Sequence, residues 1–309
     1  MKYKRALVTG GAGFIGSHLV ERLLKEGLGV VALDDLSVGK RTNVPTAAEF
    51  VLGDVCDEHD VASAVVDSDV VFHLAARVSI RRSVEQFYED AATNIMGTLN
   101  VLRACAREGV QRIVYASSMA VYSDTVAPGR VSEEHATVSI SPYGVAKLAC
   151  ERYAMLVAAQ SGFDAVALRY FNTYGPRQAA TPYVGVITIF IQRLLRGEAP
   201  EIFGDGEQRR DFVSVGDVVD ATFRAMMRAE NGQIYNVGSG MGTTVNQVAQ
   251  LLCRRLGPEI SPVHVPAHPG ELRNSVADIG RAQRLLGYQP RSRLADSIDK
   301  VIGWNRGAA

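Results

Sequence analysis

Cysteine is scarce in this chain and tryptophan nearly absent, four and one among 309 residues. The four cysteines, Cys56, Cys105, Cys150 and Cys253, are scattered, with no Cys-x-x-Cys pair and no histidine at ligand spacing. That argues against a disulfide framework or a zinc site and reads them as reduced residues of the core or of helices. The six histidines form no ligand cluster, so no metal is expected. Neither charge sign prevails, with Lys plus Arg and Asp plus Glu at 33 each. Such a balance offers no broad attraction for nucleic acid or an anionic membrane. No apolar run approaches the roughly 20 residues of a membrane span. The first strand starts within a few residues of Met1, leaving no room for a signal peptide. Repeats and low-complexity tracts are missing as well. A soluble, cytoplasmic protein is expected, with neither nucleic acid nor membrane as partner.

Glycine, by contrast, is concentrated where it matters. Residues 7–19 read Leu-Val-Thr-Gly10-Gly11-Ala-Gly13-Phe14-Ile15-Gly16-Ser-His-Leu. A short apolar run is cut by glycines and followed by apolar residues at helical spacing: Phe14, Leu19, Leu23 and Leu24. Strand, tight turn and helix are the context that a dinucleotide fingerprint requires. The glycines fit two registers, one through Gly11, Gly13 and Gly16 and one through Gly10, Gly13 and Gly16. In either, the missing Cβ lets the backbone approach a pyrophosphate, which the free N–H groups of the helix start receive. Asp34 closes the next apolar run, at the distance where a carboxylate accepts the adenosine ribose hydroxyls and repels a 2′-phosphate. NAD is therefore expected rather than NADP, although Lys40 and Arg41 follow within a few residues.

Strands and helices then alternate. Strands are expected at 49–53, 70–74, 112–116 and 165–168, with small residues Ala75 and Ala76 where the second of them ends. Helices are expected near 90–107 and 143–161. The fold class is α/β, a Rossmann-type doubly wound parallel sheet with ligands at the C-terminal strand ends. Beyond residue 170 the rhythm loosens into a smaller mixed α/β region, interleaved with the sheet. Short strands are expected there at 202–203 and 234–237, with helices at 186–195, 216–228, 245–256, 279–286 and 294–304.

Chemistry-bearing residues fall where such a sheet opens. Ser117 and Ser118 end the 112–116 strand, while Tyr143 and Lys147 stand four apart at the start of a helix and so share a face. Tyrosine is a poor base near pH 7, its ordinary pKa being about 10. A neighbouring ammonium and the positive nicotinamide ring favour the phenolate. A fall of roughly 3 units takes about 4 kcal/mol of such preference. Ser118 would bond the substrate hydroxyl and relay the proton.

In combination these residues resemble the extended short-chain dehydrogenase/reductase family. The resemblance is carried by Thr9 to Gly16, Asp34, His73-Leu74-Ala75-Ala76, Ser118, Tyr143-x-x-x-Lys147, Arg169 to Arg177 and Gly204 to Phe212, and it runs the length of the chain. Within the family the chain is most similar to the nucleoside-diphosphate-sugar 4-epimerases of the UDP-glucose type. The resemblance implies an NAD-binding domain over residues 1–170, drawing also on Asp54, Val55 and Leu74, and a nucleotide-sugar-binding region over 171–309. It implies that Asn172 and Arg210 hold the sugar diphosphate, that Phe203 lies beside the uracil and Glu271 on the ribose, and that Arg273 adds a phosphate contact. A homodimer through the two long helices is likewise implied.

The strand end discriminates between chemistries. Dehydratases of this kind resemble one another in an Asp-Glu pair after the strand-end Ser or Thr, and decarboxylases in a glutamate. Here Met119 and Ala120 stand there, and neither moves a proton. Epimerisation is left: a transient 4-keto sugar, formed and reduced again on one nicotinamide. Ser275 stands where glucose/galactose-only enzymes have a bulky tyrosine, which leaves room for a 2-acetamido group. Ala179 replaces the arginine of uronate-acting relatives. His268 and Ser123 depart from the common arginine and glycine. The competing readings are a UDP-glucuronate epimerase, a reductase or dehydrogenase that releases NADH, and a non-catalytic NAD sensor.

Overall fold

The computed structural model describes residues 2–123, 129–179, 185–267 and 273–308. β1 (Arg5–Thr9) leads through the glycine turn into α1 (Phe14–Lys25) and β2 (Gly29–Asp34). β3 (Glu49–Leu52), α2 (Glu58–Val65) and β4 (Val70–His73) follow. Two short helices, α3 (Ile80–Glu85) and α4 (Phe87–Ala91), continue through a π-turn at Ala92–Met96 into α5 (Gly97–Arg107). β5 (Arg112–Ser118), α6 (Pro142–Ser161) and β6 (Asp164–Tyr170) come next. Then come β7 (Asn172–Tyr174), α7 (Val186–Leu195), β8 (Glu201–Phe203), β9 (Arg209–Ser214), α8 (Val215–Arg228) and β10 (Ile234–Val237). The chain closes with β11 (Gly242–Thr244), α9 (Val245–Leu256), β12 (Val263–Val265), β13 (Asn274–Ser275), α10 (Gly280–Leu286) and α11 (Leu294–Ala308).

Alternation along the strands explains the layering. In β1, Ala6 and Val8 face one core while Leu7 faces the other. Seven parallel strands pair in the order β10-β6-β5-β4-β1-β2-β3, the expected doubly wound sheet. Leu19 and Leu23 of α1, Val218 and Met226 of α8 and Leu286 of α10 cover one face. Val61 of α2, Leu102 of α5 and Ala158 of α6 cover the other. A third core joins Phe190 and Ile191 of α7 to Leu252 of α9 and Ile298 of α11. The sheet takes its seventh strand, β10, from beyond residue 170. Among the described residues no helix is long and apolar enough to cross a membrane.

Two expectations change on inspection. The helix expected from Asp90 begins at Phe87 and carries the π-turn. The irregular turn leaves the Asn94 carbonyl free to accept from the Thr98 hydroxyl (2.6 Å) and the Cys150 thiol (3.1 Å). Cys105, Cys150 and Cys253 are buried as expected, but Cys56 is exposed in a turn before α2.

Beneath the sheet's C-terminal end lies a chain of buried hydrogen bonds centred on His73. Thr98 donates its only hydroxyl proton to Asn94, so His73 Nε2, at 2.9 Å, must donate to Thr98. Nδ1 therefore accepts, from the Thr9 hydroxyl at 2.7 Å, and Thr9 Oγ1 in turn accepts the N–H groups of Leu74 and Ala75. Burial lowers the His73 pKa to about 3, and the Lys147 ammonium acts in the same direction. Unfolded histidine titrates near 6.5. Below that pH the unfolded chain binds the extra proton, so stability is lost as pH falls from 6.5 towards 3. Between pH 7 and pH 5 this residue alone should cost about 2 kcal/mol. Urea unfolding at both pH values should show His73→Asn losing about that much less over the interval; an equal loss in both proteins would refute the assignment.

Candidate active site

The sheet's strand order reverses between β1 and β4, where a crevice opens at the strands' C-terminal ends. Gly10 lines it with φ +69°, and a Cβ there would lie 2.8 Å from the Ala75 amide nitrogen. Gly16 packs more tightly still, since its Cβ would stand 2.0 Å from the Gly10 carbonyl oxygen. Gly13 is the N-cap of α1 and offers no side chain to the helix start, and no acidic residue occupies the first turn. Phe14 and Ile15 anchor that turn against the core. The result is an uncapped helix N-terminus behind a cradle that Cβ atoms would fill, which fits a pyrophosphate.

Asp34, at the end of β2, accepts hydrogen bonds from the amides of Ala12 and Leu36, each 2.9 Å. Burial raises its pKa, while those amides pull the other way. Two of its roughly four lone-pair sites stay open to ribose hydroxyls. Asp54 and Val55 follow β3; Asn100 Nδ2 donates to the Val55 carbonyl (3.1 Å) and fixes that loop. Leu74, Ala75 and Ala76 follow β4 directly; Leu74 packs against the core, and the small side chains of Ala75 and Ala76 leave room at the strand end.

Across the crevice, α6 presents its catalytic candidates. Ser141 caps the helix, accepting from the Gly144 amide (3.2 Å), with Pro142 in the first turn. The Tyr143 amide donates to Ser83 Oγ of α3 (3.2 Å). Burial pushes the Tyr143 phenol up to about 12, against a hydrogen bond with Ser118 that lowers it. Burial also drives Lys147 down to about 8; its Nζ donates to the Ala116 carbonyl at 2.8 Å and lies 5.9 Å from the Tyr143 ring centroid. The expected lowering of the tyrosine is thus not supplied by the protein alone. Tyr143 is a phenol here at neutral pH, and the phenolate needs a further positive charge in the crevice.

The second wall comes from short strands that no periodicity announces. β7 pairs with β9, and β9 lies between β11 and β13. Asn172 Nδ2 and Ser275 Oγ are both buried without a hydrogen-bond partner, as atoms facing a polar ligand would be. Ser275 stands opposite Arg210 in the β13–β9 register. Phe203 receives the Arg81 guanidinium 5.6 Å from its ring centroid. The Arg273 fork holds Asp205 at 2.8 and 2.6 Å. Glu271 and His268 lie outside the described residues.

Two carboxylates were not singled out in the sequence. Asp211 is fully buried and accepts the amides of Ser239, Gly240 and Ala277, holding the loop behind β9. Glu151, two turns after Tyr143 on α6, is buried against Arg169 and Ser117. Only its spacing from Tyr143 and Lys147 could have drawn notice.

The glycine cradle is open to test. Gly16→Ala would drive a methyl into the Gly10 carbonyl and displace the turn, so NAD affinity should fall about tenfold or more. Titration of the variant with NAD measures this, and an unchanged Kd would refute the placement.

Comparison with known proteins agrees with this geometry. Residues 6–238 match the model of the NAD dependent epimerase/dehydratase family. UDP-glucose 4-epimerase of Mycolicibacterium smegmatis is 40% identical over 309 residues, 98% of each chain. The crystal structure of Thermotoga maritima UDP-glucose 4-epimerase with UDP-glucose superposes with TM-score 0.94 at 39% identity, covering 98% of this chain and 99% of that one. The Thermus thermophilus UDP-glucose 4-epimerase complex with NAD superposes with TM-score 0.92 at 38% identity, covering 99% and 100%. A glycine cradle fit for a pyrophosphate, a Tyr-x-x-x-Lys helix and a full-length match in sequence and fold converge on one conclusion: the chain is a member of the NAD dependent epimerase/dehydratase family.

Proposed function

We propose that this enzyme interconverts UDP-hexoses at C4, UDP-glucose with UDP-galactose and their 2-acetamido counterparts, through a transient 4-keto sugar. The observation that carries the reading is the end of β5. Ser118 lies close enough there to lower the Tyr143 phenol, while Met119 and Ala120 occupy the places from which a dehydratase or decarboxylase would move a further proton. In this reading residues 1–170 hold NAD and residues 171–309 the nucleotide sugar.

When bound, NAD supplies a hydride acceptor that can give the hydride back, together with positive charge beside Tyr143. The glycine cradle and Asp34 would hold its pyrophosphate and ribose. Tyr143, as phenolate, accepts the C4 hydroxyl proton and later returns one to the 4-keto oxygen. Ser118 orients that oxygen and shares its proton. Lys147 lies near the phenolate and steadies its charge. Asn172 and Arg210 retain the diphosphate while the sugar turns over, with Phe203 beside the base; Arg273 would have to leave Asp205 to join them. Glu271 completes the ribose contact in this proposal.

Substrate breadth rests on Ser275 and Ala179. The buried Ser275 hydroxyl is small enough to admit an acetamido group, and Ala179 gives no cation for a uronate carboxylate. We also propose a homodimer, with a second copy of the chain as occupant of the apolar surface along α4, the π-turn and α6. Phe87, Tyr88, Met96, Val145, Tyr153 and Leu156 are exposed there, and scattered single exposures do not gather on neighbouring helices. Sedimentation equilibrium at micromolar concentration should give twice the chain mass, and a monomer would exclude the pairing.

The enzyme, incubated separately with UDP-glucose, UDP-N-acetylglucosamine and UDP-glucuronate, should yield the C4 epimers of the first two by NMR. NADH should not accumulate; steady accumulation would favour a dehydrogenase. Tyr143→Phe should lower kcat at least roughly 100-fold. Full activity in that variant would return the protein to a non-catalytic role. Ser275→Tyr should suppress turnover of the acetamido sugar alone, and equal loss on both sugars would remove Ser275 from specificity.

A further inference from the structure

Tyr143, Lys147 and Glu151 stand four residues apart on one face of α6. The first two meet the crevice. Glu151 is fully buried and takes no part in the chemistry described above. Its Oε1 accepts from the Ser117 hydroxyl at 2.5 Å and from Arg169 Nε at 2.9 Å, and its Oε2 accepts from Arg169 Nη2 at 2.7 Å. Arg169 is the partner of Ser117 in the β5–β6 register. Its guanidinium also lies 4.7 Å from the Tyr122 ring centroid, and its Nη1 donates to the Glu133 carbonyl at 3.3 Å. The helix therefore grips two consecutive residues of the strand end, just before Ser118: Ala116 through Lys147 and Ser117 through Glu151.

We infer that Glu151 and Arg169 are the positioning pair of the active site: through the Ser117 hydroxyl they hold the end of β5 against α6 and so set where Ser118 stands relative to Tyr143. The inference rests on reading Tyr143 as the proton carrier. A buried ion pair is a poor device for stability, because apolar residues of similar volume often serve as well. It is a good device for orientation, since the planar guanidinium fork accepts one carboxylate geometry and the stacked tyrosine fixes its plane. Ser118 lowers the Tyr143 phenol against the burial that raises it, so a small displacement of Ser118 would leave fewer molecules carrying the phenolate at a given pH.

Two variants test this, with Tyr143→Phe as reference. Ser117→Ala removes only the link between the pair and the strand. Glu151→Leu combined with Arg169→Met removes both charges together, leaving neither unpaired in the core. In each, near-ultraviolet circular dichroism, NAD affinity and the KM for UDP-glucose should stay within about threefold of the parent, while kcat falls about tenfold to a hundredfold. The tyrosinate absorption of Tyr143 in the NAD-bound enzyme, read as the difference from Tyr143→Phe, should move to higher pH by roughly one unit. An unmoved tyrosinate titration with unchanged kcat would overturn the positioning role. So would a loss of kcat matched by equal losses of NAD affinity and circular dichroism, since that is general loosening. If Tyr143→Phe itself keeps full activity, it is the proton-carrier reading that fails; if that variant is inactive and the other two are not, only the positioning role fails.

Discussion

Backbone must meet backbone without a side chain between them where β1 ends beside β4, and the rest of the structure depends on that contact. A methyl group at Gly10 would strike the Ala75 amide, and one at Gly16 would strike the Gly10 carbonyl. With the methyls missing, α1 starts close under the strand end and leaves its first N–H groups facing the crevice. The sheet order turns at the same place, so the switch point of the sheet coincides with the helix start that can receive an anion. Thr9 fixes the far side of the gap by accepting the amides of Leu74 and Ala75, with neutral His73 and Thr98 backing it.

Burial then decides protonation. His73 is held neutral, the Tyr143 phenol is pushed up to about 12 and the Lys147 ammonium down to about 8, each chiefly because water is excluded. The tyrosine and lysine, which ordinarily titrate close together, are therefore driven apart, each towards its neutral form. A positive charge arriving in the crevice would favour the phenolate.

Charge elsewhere is handled by saturation rather than exclusion. The buried Asp211 carboxylate receives three backbone amides and the Ser239 hydroxyl (2.6 Å), and Glu151 receives a serine and a guanidinium. Both join segments that lie far apart in the chain, which short strands of two or three residues could not do by ladder hydrogen bonds alone.

Much was legible in the sequence by itself: the glycine turn, Asp34 at the end of a strand, the serine ending β5, the Tyr143–Lys147 pair, the parallel sheet. Each is a local pattern, and local patterns follow from backbone sterics and from the two periodicities of strand and helix, which act within a few residues. The tertiary structure alone decided the remainder. β7, β9, β11 and β13 include strands too short to alternate visibly, and they exist only because β9 gives them neighbours. The π-turn at Ala92–Met96 presents one carbonyl that accepts from both Thr98 and Cys150, the second of them from another helix. Arg273 meets Asp205, 68 residues away at the surface, and Glu151 meets Ser117, 34 residues away in the buried interior. Desolvation of Tyr143 and Lys147 likewise has no signature in composition, because it is set by everything that surrounds them and by nothing adjacent in the chain.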